Sequence, residues 1–432
     1  MRLGAKRFQK ASMHSSGSGS AVLVVKEASI PQDAPREFDH ELRHAASSPG
    51  NKVTTGMAAL DSDVNINFSM PHVYTNLIGA DLLLNGAVQL LDDQHWIKTI
   101  PLDDPELAYS HVLQVHMCYD AVPMSTKLVV FDLKLQVKKA FYGLIYNSTR
   151  TALLHDSVDD KLVGILSITD FIRVLLKLKK KRDRKLSEND GVLSEAEAQA
   201  TNIGEYEIGA WRDMIAQEGK QQPFVHIMAT DSLYRAAQVL TEHRIHRLPV
   251  MDPLNGNPLY ILTHKRLLKF IWLFHQQLPR PPYMDRTPRD LGVGCWTDIR
   301  VVHPDTPLVE CLEALLDKGI SGLPVVARED HKVVDMYSRF DAIGIAAENR
   351  FDDLDITVEQ ALEHRNSFKT MERVVSVLET DTMLKTLSVL VESEVHRVCA
   401  TDENGLLKGI VSLSDVIKFV VLRPVHEHEE QH

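Results

Sequence analysis

Short apolar runs of four or five residues alternate with longer stretches in which apolar side chains return every three or four positions, beginning near residue 115. The runs predict strands and the stretches predict amphipathic helices. In the clearest passage, Ile299-Arg300-Val301-Val302 reads as a short strand and Asp305-Thr306 as a cap. Leu308 to Lys318 follows as a helix with Leu308, Leu312 and Leu315 on one face. Leu323-Pro324-Val325-Val326 is then a strand, Asp330-His331 a turn and Val333-Val334-Asp335-Met336-Tyr337 a second strand. Ser338-Arg339-Phe340-Asp341 opens a helix expected to reach about Glu348.

The same order recurs three more times. After it comes strand Val374 to Val377, helix Leu384 to Glu392, strand Val398 to Thr401, turn Asp402-Glu403-Asn404-Gly405, strand Leu407 to Val411 and a helix from Ser412. Before it comes helix Leu233 to His243, strand Leu248 to Met251, strand Leu259 to Leu262 and a helix from Thr263. Earlier still come strand Val129 to Asp132, helix Leu135 to Ile145, strand Thr151 to Leu154, strand Leu162 to Leu166 and a helix from Ser167. The helix-opening positions Asp170, Arg266, Asp341 and Asp415 lie 96, 75 and 74 residues apart. The extra length between the first two is the charged stretch 177–222, whose run Lys179-Lys180-Lys181-Arg182 reads as a solvated helix end and linker. Each unit spans about 50 residues, too few to bury a good core alone, so the units are expected to pair.

Residues 1–110 carry no motif. The run Ser15-Ser16-Gly17-Ser18-Gly19-Ser20 is expected to be disordered, and the tail from His426 to His432 reads as polar. Formal charge of −11, with 48 basic and 59 acidic residues, argues against nucleic-acid binding but leaves room for local basic pockets. Cys118, Cys295, Cys311 and Cys399 form no CxxC pair and are expected to be reduced thiols. No apolar run approaches the ~18–20 residues of a membrane helix, and residues 1–20 lack the apolar core of a secretory signal. A soluble protein of the cytoplasm, the nucleus or both is expected, with no membrane or metal requirement.

The β-α-β-β-α unit closed by Ser/Thr-x-x-Asp resembles a CBS domain. Four in series, carrying His246-Arg247-Leu248-Pro249-Val250, Tyr260-Ile261-Leu262-Thr263-His264-Lys265-Arg266 and Gly409-Ile410-Val411-Ser412-Leu413-Ser414-Asp415, resemble the γ regulatory subunit of AMP-activated protein kinase. Cys118-Tyr119-Asp120 and Ile168-Thr169-Asp170-Phe171-Ile172 extend the likeness, which runs from about 111 to 422. It implies an α/β fold of four CBS units, at 111–178, 223–275, 295–349 and 371–423, with 179–222 as linker. It also implies two CBS pairs in a flat disk, regulatory adenine nucleotides (AMP, ADP, ATP) around a central axis, and a heterotrimer with a catalytic α subunit and a β scaffold. The chain itself is then no enzyme. Two other readings are a divergent scaffold subunit with reduced nucleotide binding, and the regulatory CBS region of a metabolic enzyme.

A carboxylate at a helix start either caps orphan N–H groups or accepts both hydroxyls of a ribose. Recurrence in register favours the ribose role for Asp170, Asp341 and Asp415, with the opening hydroxyls of Ser167, Ser338, Ser412 and Ser414 beside them. Arg266 has no acceptor and cannot chelate a diol, so the second site is expected to be empty, as it is in the family. Phosphate is assigned to Arg150, His246, Arg247, Lys265, Arg365, His396 and Arg397, and Ser321 joins the set. His246 and His396 are expected to titrate near neutrality. The chain departs from the family pattern at Thr151, Leu153, Gly322, Cys295 and Arg300. Cys295 stands where an adenine-holding Thr is common, and the bulk of Arg300 would fill the adenine pocket of the Asp341 site.

Overall fold

Each repeat places its helix start at the mouth of a short antiparallel strand pair, and the four mouths are brought together by exchanges between repeats. The computed structural model describes residues 21–25, 87–91, 97–101, 104–123, 126–147, 149–188, 206–219, 221–317, 319–342, 354–366 and 374–423. The Ser15–Ser20 run, the tail after 423 and the expected helix beyond 342 lie outside them.

The four strand pairs are Thr151–Asp156 with Lys161–Ser167, Leu248–Met251 with Pro258–Leu262, Gly322–Val326 with Val333–Ser338, and Arg397–Thr401 with Leu407–Ser412. All four carry a register shift near the turn, one extra residue that bends the hairpin. The connecting helices Val137–Tyr146, Leu233–Glu242, Leu308–Asp317 and Met383–Glu392 lie close to the expected spans. The first strands of the third and fourth repeats are shorter than expected, the bridge of Val302 to Val325 and Ser376–Leu378, and the second repeat has a first strand, Ile227–Met228, that was not expected. In the region without motifs, Ala87–Leu91 pairs with Ile97–Pro101, and the backbone of Ala21–Val25 runs parallel to Lys127–Asp132.

The segment leading into each repeat docks on another one. The leader of the first repeat joins the second, where the Cys118 and Tyr119 amides donate to the Asp231 and Ala229 carbonyls at 2.7 and 2.9 Å. The leader of the second returns to the first through Val137 N–H to Tyr206 C=O and Ile208 N–H to Leu135 C=O, both 2.9 Å. The third and fourth repeat the exchange, by Cys295 bridging Ile410 and Pro307 bridging Thr357. These swaps satisfy backbone groups that a lone 50-residue unit would leave exposed.

Two helices belong to this exchange, one inside the stretch expected to be a linker and one for which no element is expected. Ile208–Gln217 buries Ile208, Trp211 and Ile215, and Val358–Asn366 buries Val358, Ala361 and Leu362. Trp211 is 1% exposed, and its loss would cost about 3–5 kcal/mol. The basic run is likewise more than a solvated end. The helix Ile168–Glu188 continues through it, Lys177 pairs with Glu218, Lys179 with Asp355 and Lys180 with Glu313 of the third repeat.

Apolar packing forms two cores, one joining the second and fourth repeats and one joining the first and third. Strand edges link the other neighbours, with Lys332 bridging Leu406 and the Thr126 hydroxyl donating to the Leu259 carbonyl. The four units therefore close around a common centre as two pairs. Cys118, Cys311 and Cys399 are buried, which pushes each thiol up to about 12, while Cys295 is exposed.

Candidate functional site

The three carboxylates share one geometry. Oδ2 of Asp170 accepts from the Ser167 amide and hydroxyl, both 2.9 Å. Oδ2 of Asp341 accepts from Ser338 in the same way at 2.6 and 2.7 Å, and Oδ2 of Asp415 from Ser412 at 2.9 and 2.7 Å. Each Asp is therefore a helix cap through one oxygen. Capping and ribose binding are not exclusive, because a carboxylate has about four acceptor positions and the cap fixes where the second oxygen points. Oδ1 of Asp170 accepts from Arg173 at 3.1 Å, whereas Oδ1 of Asp415 has no hydrogen bond to any described residue.

At the fourth position Arg266 is buried, and its guanidinium donates to the Ala121 carbonyl at 3.0 Å. The side chain thus stands where the other three repeats carry Asp170, Asp341 and Asp415, and it ties the second repeat to the leader it borrows.

Three of the candidate cations reach out of their own repeats. Arg150 of the first lies 4.2 Å over the Phe340 ring of the third. Arg397 of the fourth donates to the Ser321 hydroxyl and reaches Met336 Sδ, both of the third. Lys265 of the second lies 3.4 Å from Glu394 of the fourth. The His246 and His264 rings sit 5.8 Å apart, His246 within the fields of Arg339, Arg247 and Arg397 and both within that of His396. Ser414 lies half-buried in the turn that Asp415 caps. Arg365 falls within the helix Val358–Asn366, and its side chain lies outside the described residues.

Crowding by protein, and then the charges of Arg339, Arg247, Arg397 and His396, push His246 down to about 4. Burial, and then His246 and His396, push His264 down to about 3. This corrects the expectation that His246 titrates near neutrality: without an anion it is uncharged at pH 7. One edge of its ring remains exposed to solvent.

Arg339 escaped the sequence reading. It donates to the Ile320 and Leu315 carbonyls and to the Thr169 hydroxyl of the first repeat, at 2.9, 3.0 and 3.0 Å. Desolvation, then Arg173 and Arg397, lower it to about 10, although Asp170 opposes them. The signal was in the repeat frame: Ile168, His264, Arg339 and Leu413 occupy one position, apolar in two repeats and basic in the third.

Cys295 also needs a new place. Its amide and carbonyl exchange bonds with Ile410 at 2.8 and 2.9 Å, on the strand that enters Ser412 and Asp415. The side chain of Cys295 is exposed, and its backbone belongs to the fourth repeat's sheet edge. A cavity of about 400 Å³ opens beside it, lined among others by Arg289, Trp296, Ile299, Val301 and Lys408.

The CBS domain family model matches 220–273, 289–348 and 369–422, which are the second, third and fourth repeats. The 5'-AMP-activated protein kinase subunit gamma-3 of Bos taurus is 39% identical over 371 residues, covering 84% of this chain and 70% of the relative. The Homo sapiens gamma-3 subunit is 41% identical over 316 residues, covering 73% and 61%. The Sus scrofa gamma-3 subunit is 42% identical and is covered over 58% of its length, so the chain spans 58% to 70% of these relatives. A crystal structure from Methanocaldococcus jannaschii, named as a proposed archaeal homologue of g-AMPK, superposes with TM-score 0.50 at 15% identity. It covers 68% of this chain and 96% of its own, a likeness of fold. By its extended identity to these subunits, the chain belongs to the family of 5'-AMP-activated protein kinase γ subunits.

Proposed function

We propose that this chain is the non-catalytic, nucleotide-sensing subunit of a heterotrimeric kinase, partnered by a catalytic α subunit and a β scaffold. AMP, ADP and ATP are its regulatory ligands. The four units are 111–178, 223–275, 295–349 and 371–423. Asp170, Asp341 and Asp415 take ribose. Arg150, His246, Arg247, Lys265, Arg365, His396 and Arg397 take phosphate, and Arg266 closes the second site. The protein works in the cytoplasm, the nucleus or both.

The observation that carries this reading is the gathering of Arg247, Arg339, Arg397 and His396 about His246, with Arg173 and Asp170 of the first repeat beside Arg339, among carboxylates held in one orientation by capping. AMP, ADP and ATP share adenine and ribose, so discrimination rests on phosphate number at this shared cationic centre. Exchange of one nucleotide for another redistributes contacts between repeats and changes the face offered to the kinase, which requires unequal affinity for two states.

One observation favours the scaffold reading for the first unit. Arg173 already occupies the second oxygen of Asp170, the position a ribose would need. Co-expression with α and β subunits tests both readings. A stable trimer whose kinase activity responds to AMP and loses that response in D415A supports the sensor. A stable trimer indifferent to every adenine nucleotide supports the scaffold.

A further inference from the structure

We infer that Glu394 is a built-in anion that competes with nucleotide phosphate for Lys265 and thereby sets the preference between few phosphates and many. The inference rests on the nucleotide reading and deepens it.

Glu394 belongs to the fourth repeat, while Lys265 and Lys269 lie on the helix His264–Phe274 of the second. One carboxylate oxygen stands 3.4 Å from Lys265 Nζ and the other pairs with Lys269 Nζ. The Lys265 side chain is only 10% exposed, so its charge faces the protein interior and needs a counterion there. With His246 neutral in the absence of anion, Lys265 and Arg247 are the positive charges that the second repeat offers to the centre. Glu394 therefore supplies a negative charge where an arriving phosphate would supply one.

The backbone fixes this arrangement. Glu394 has φ of +54°, and the residues three before Arg247 and Gly322, namely Arg244 and Gly319, have +51° and +64°. The repeat ends its first helix with a left-handed residue in all three places, which directs the side chain that follows. A non-glycine residue is strained in that conformation. The fold fixes the left-handed turn, and the sequence chooses what it carries: nothing, a base or an acid.

The consequence follows from charge. A carboxylate next to the phosphate site repels each added phosphate, so it weakens ATP more than AMP. Its removal frees Lys265 and Lys269 and relieves that repulsion.

The test is calorimetric titration of the full-length chain with AMP and with ATP, at one ionic strength and without magnesium. The wild type is compared with Glu394→Gln and with Glu394→Asn, the second because Asn tolerates positive φ. Removing the carboxylate is expected to tighten AMP about threefold and ATP about tenfold or more. A wild type that binds, with both variants keeping its AMP-to-ATP ratio, overturns the role of Glu394 and leaves the nucleotide reading standing. A wild type that binds neither nucleotide overturns that reading, and this inference with it.

Discussion

The guanidinium of Arg397 occupies the space that a side chain at Gly322 would take: a Cβ built there overlaps its terminal nitrogen. The two positions are counterparts, since Arg397 pairs with Ser412 and Gly322 with Ser338 in the strand registers of their repeats. One arginine thus serves two repeats, and the missing side chain in the third is what admits it.

Gly322→Ala is therefore expected to expel Arg397 from Ser321 and Met336. A charge-assisted hydrogen bond contributes about 1.5–3 kcal/mol, and urea unfolding should register a loss of that order. Stability equal to wild type would mean that Arg397 gains nothing from this niche.

The Asp415 cap has its own signature. Asp415→Ala removes the acceptor for the Ser412 amide and hydroxyl and is expected to cost about 1 kcal/mol. Asp415→Asn keeps an acceptor and should lose less than half of that. Equal losses in thermal or urea unfolding would deny the cap its part in stability.

Arg266→Met leaves the Ala121 carbonyl without its buried partner. A cost of about 1–3 kcal/mol is expected, with the number of nucleotides bound per chain unchanged. An added binding event in the variant would show that Arg266 was blocking a site otherwise complete.

The depressed histidines give a pH dependence with a definite sign. His264 is 5% exposed and titrates near 3 when folded, against about 6.5 when unfolded. Between those values the unfolded chain binds more protons, so stability is complete above about 6.5 and falls as pH drops. His246, held near 4, acts in the same direction. The carboxyls of Asp132, Asp305, Asp330 and Asp402 are held below their usual range by hydrogen bonds, and their contribution is lost only near pH 4 and under. Urea unfolding at pH 7.5 and 5 isolates the histidines. A loss on the order of 2 kcal/mol is expected at pH 5, reduced in His264→Gln, and a flat profile would contradict the burial of a neutral ring.

The repeat was legible because each unit announces itself locally. A hydroxyl three residues before Asp170, Asp341 or Asp415 marks a helix start, and Asp402-Glu403-Asn404-Gly405 marks a turn, without reference to the rest of the chain. The helix Ile208–Gln217 was hidden because a charged neighbourhood surrounds its three buried residues, and what buries them is another repeat. The same limit applied to Arg339 and Glu394, whose partners lie 170 and 129 residues away in sequence. The sequence shows which residue types recur, but not which repeats face one another. His246 was misjudged for that reason too, since three of the four charges that depress it come from other repeats or from beyond its own strand pair.

The most direct test is calorimetric titration of the full-length wild-type chain with AMP, repeated on Asp415→Ala after circular dichroism confirms its fold. Saturable binding is expected, with the affinity of one site weakened at least about tenfold in the variant, because the loss of hydrogen bonds to a charged acceptor is worth more than 1.4 kcal/mol. A trace as flat in the wild type as in buffer would contradict nucleotide binding at this centre.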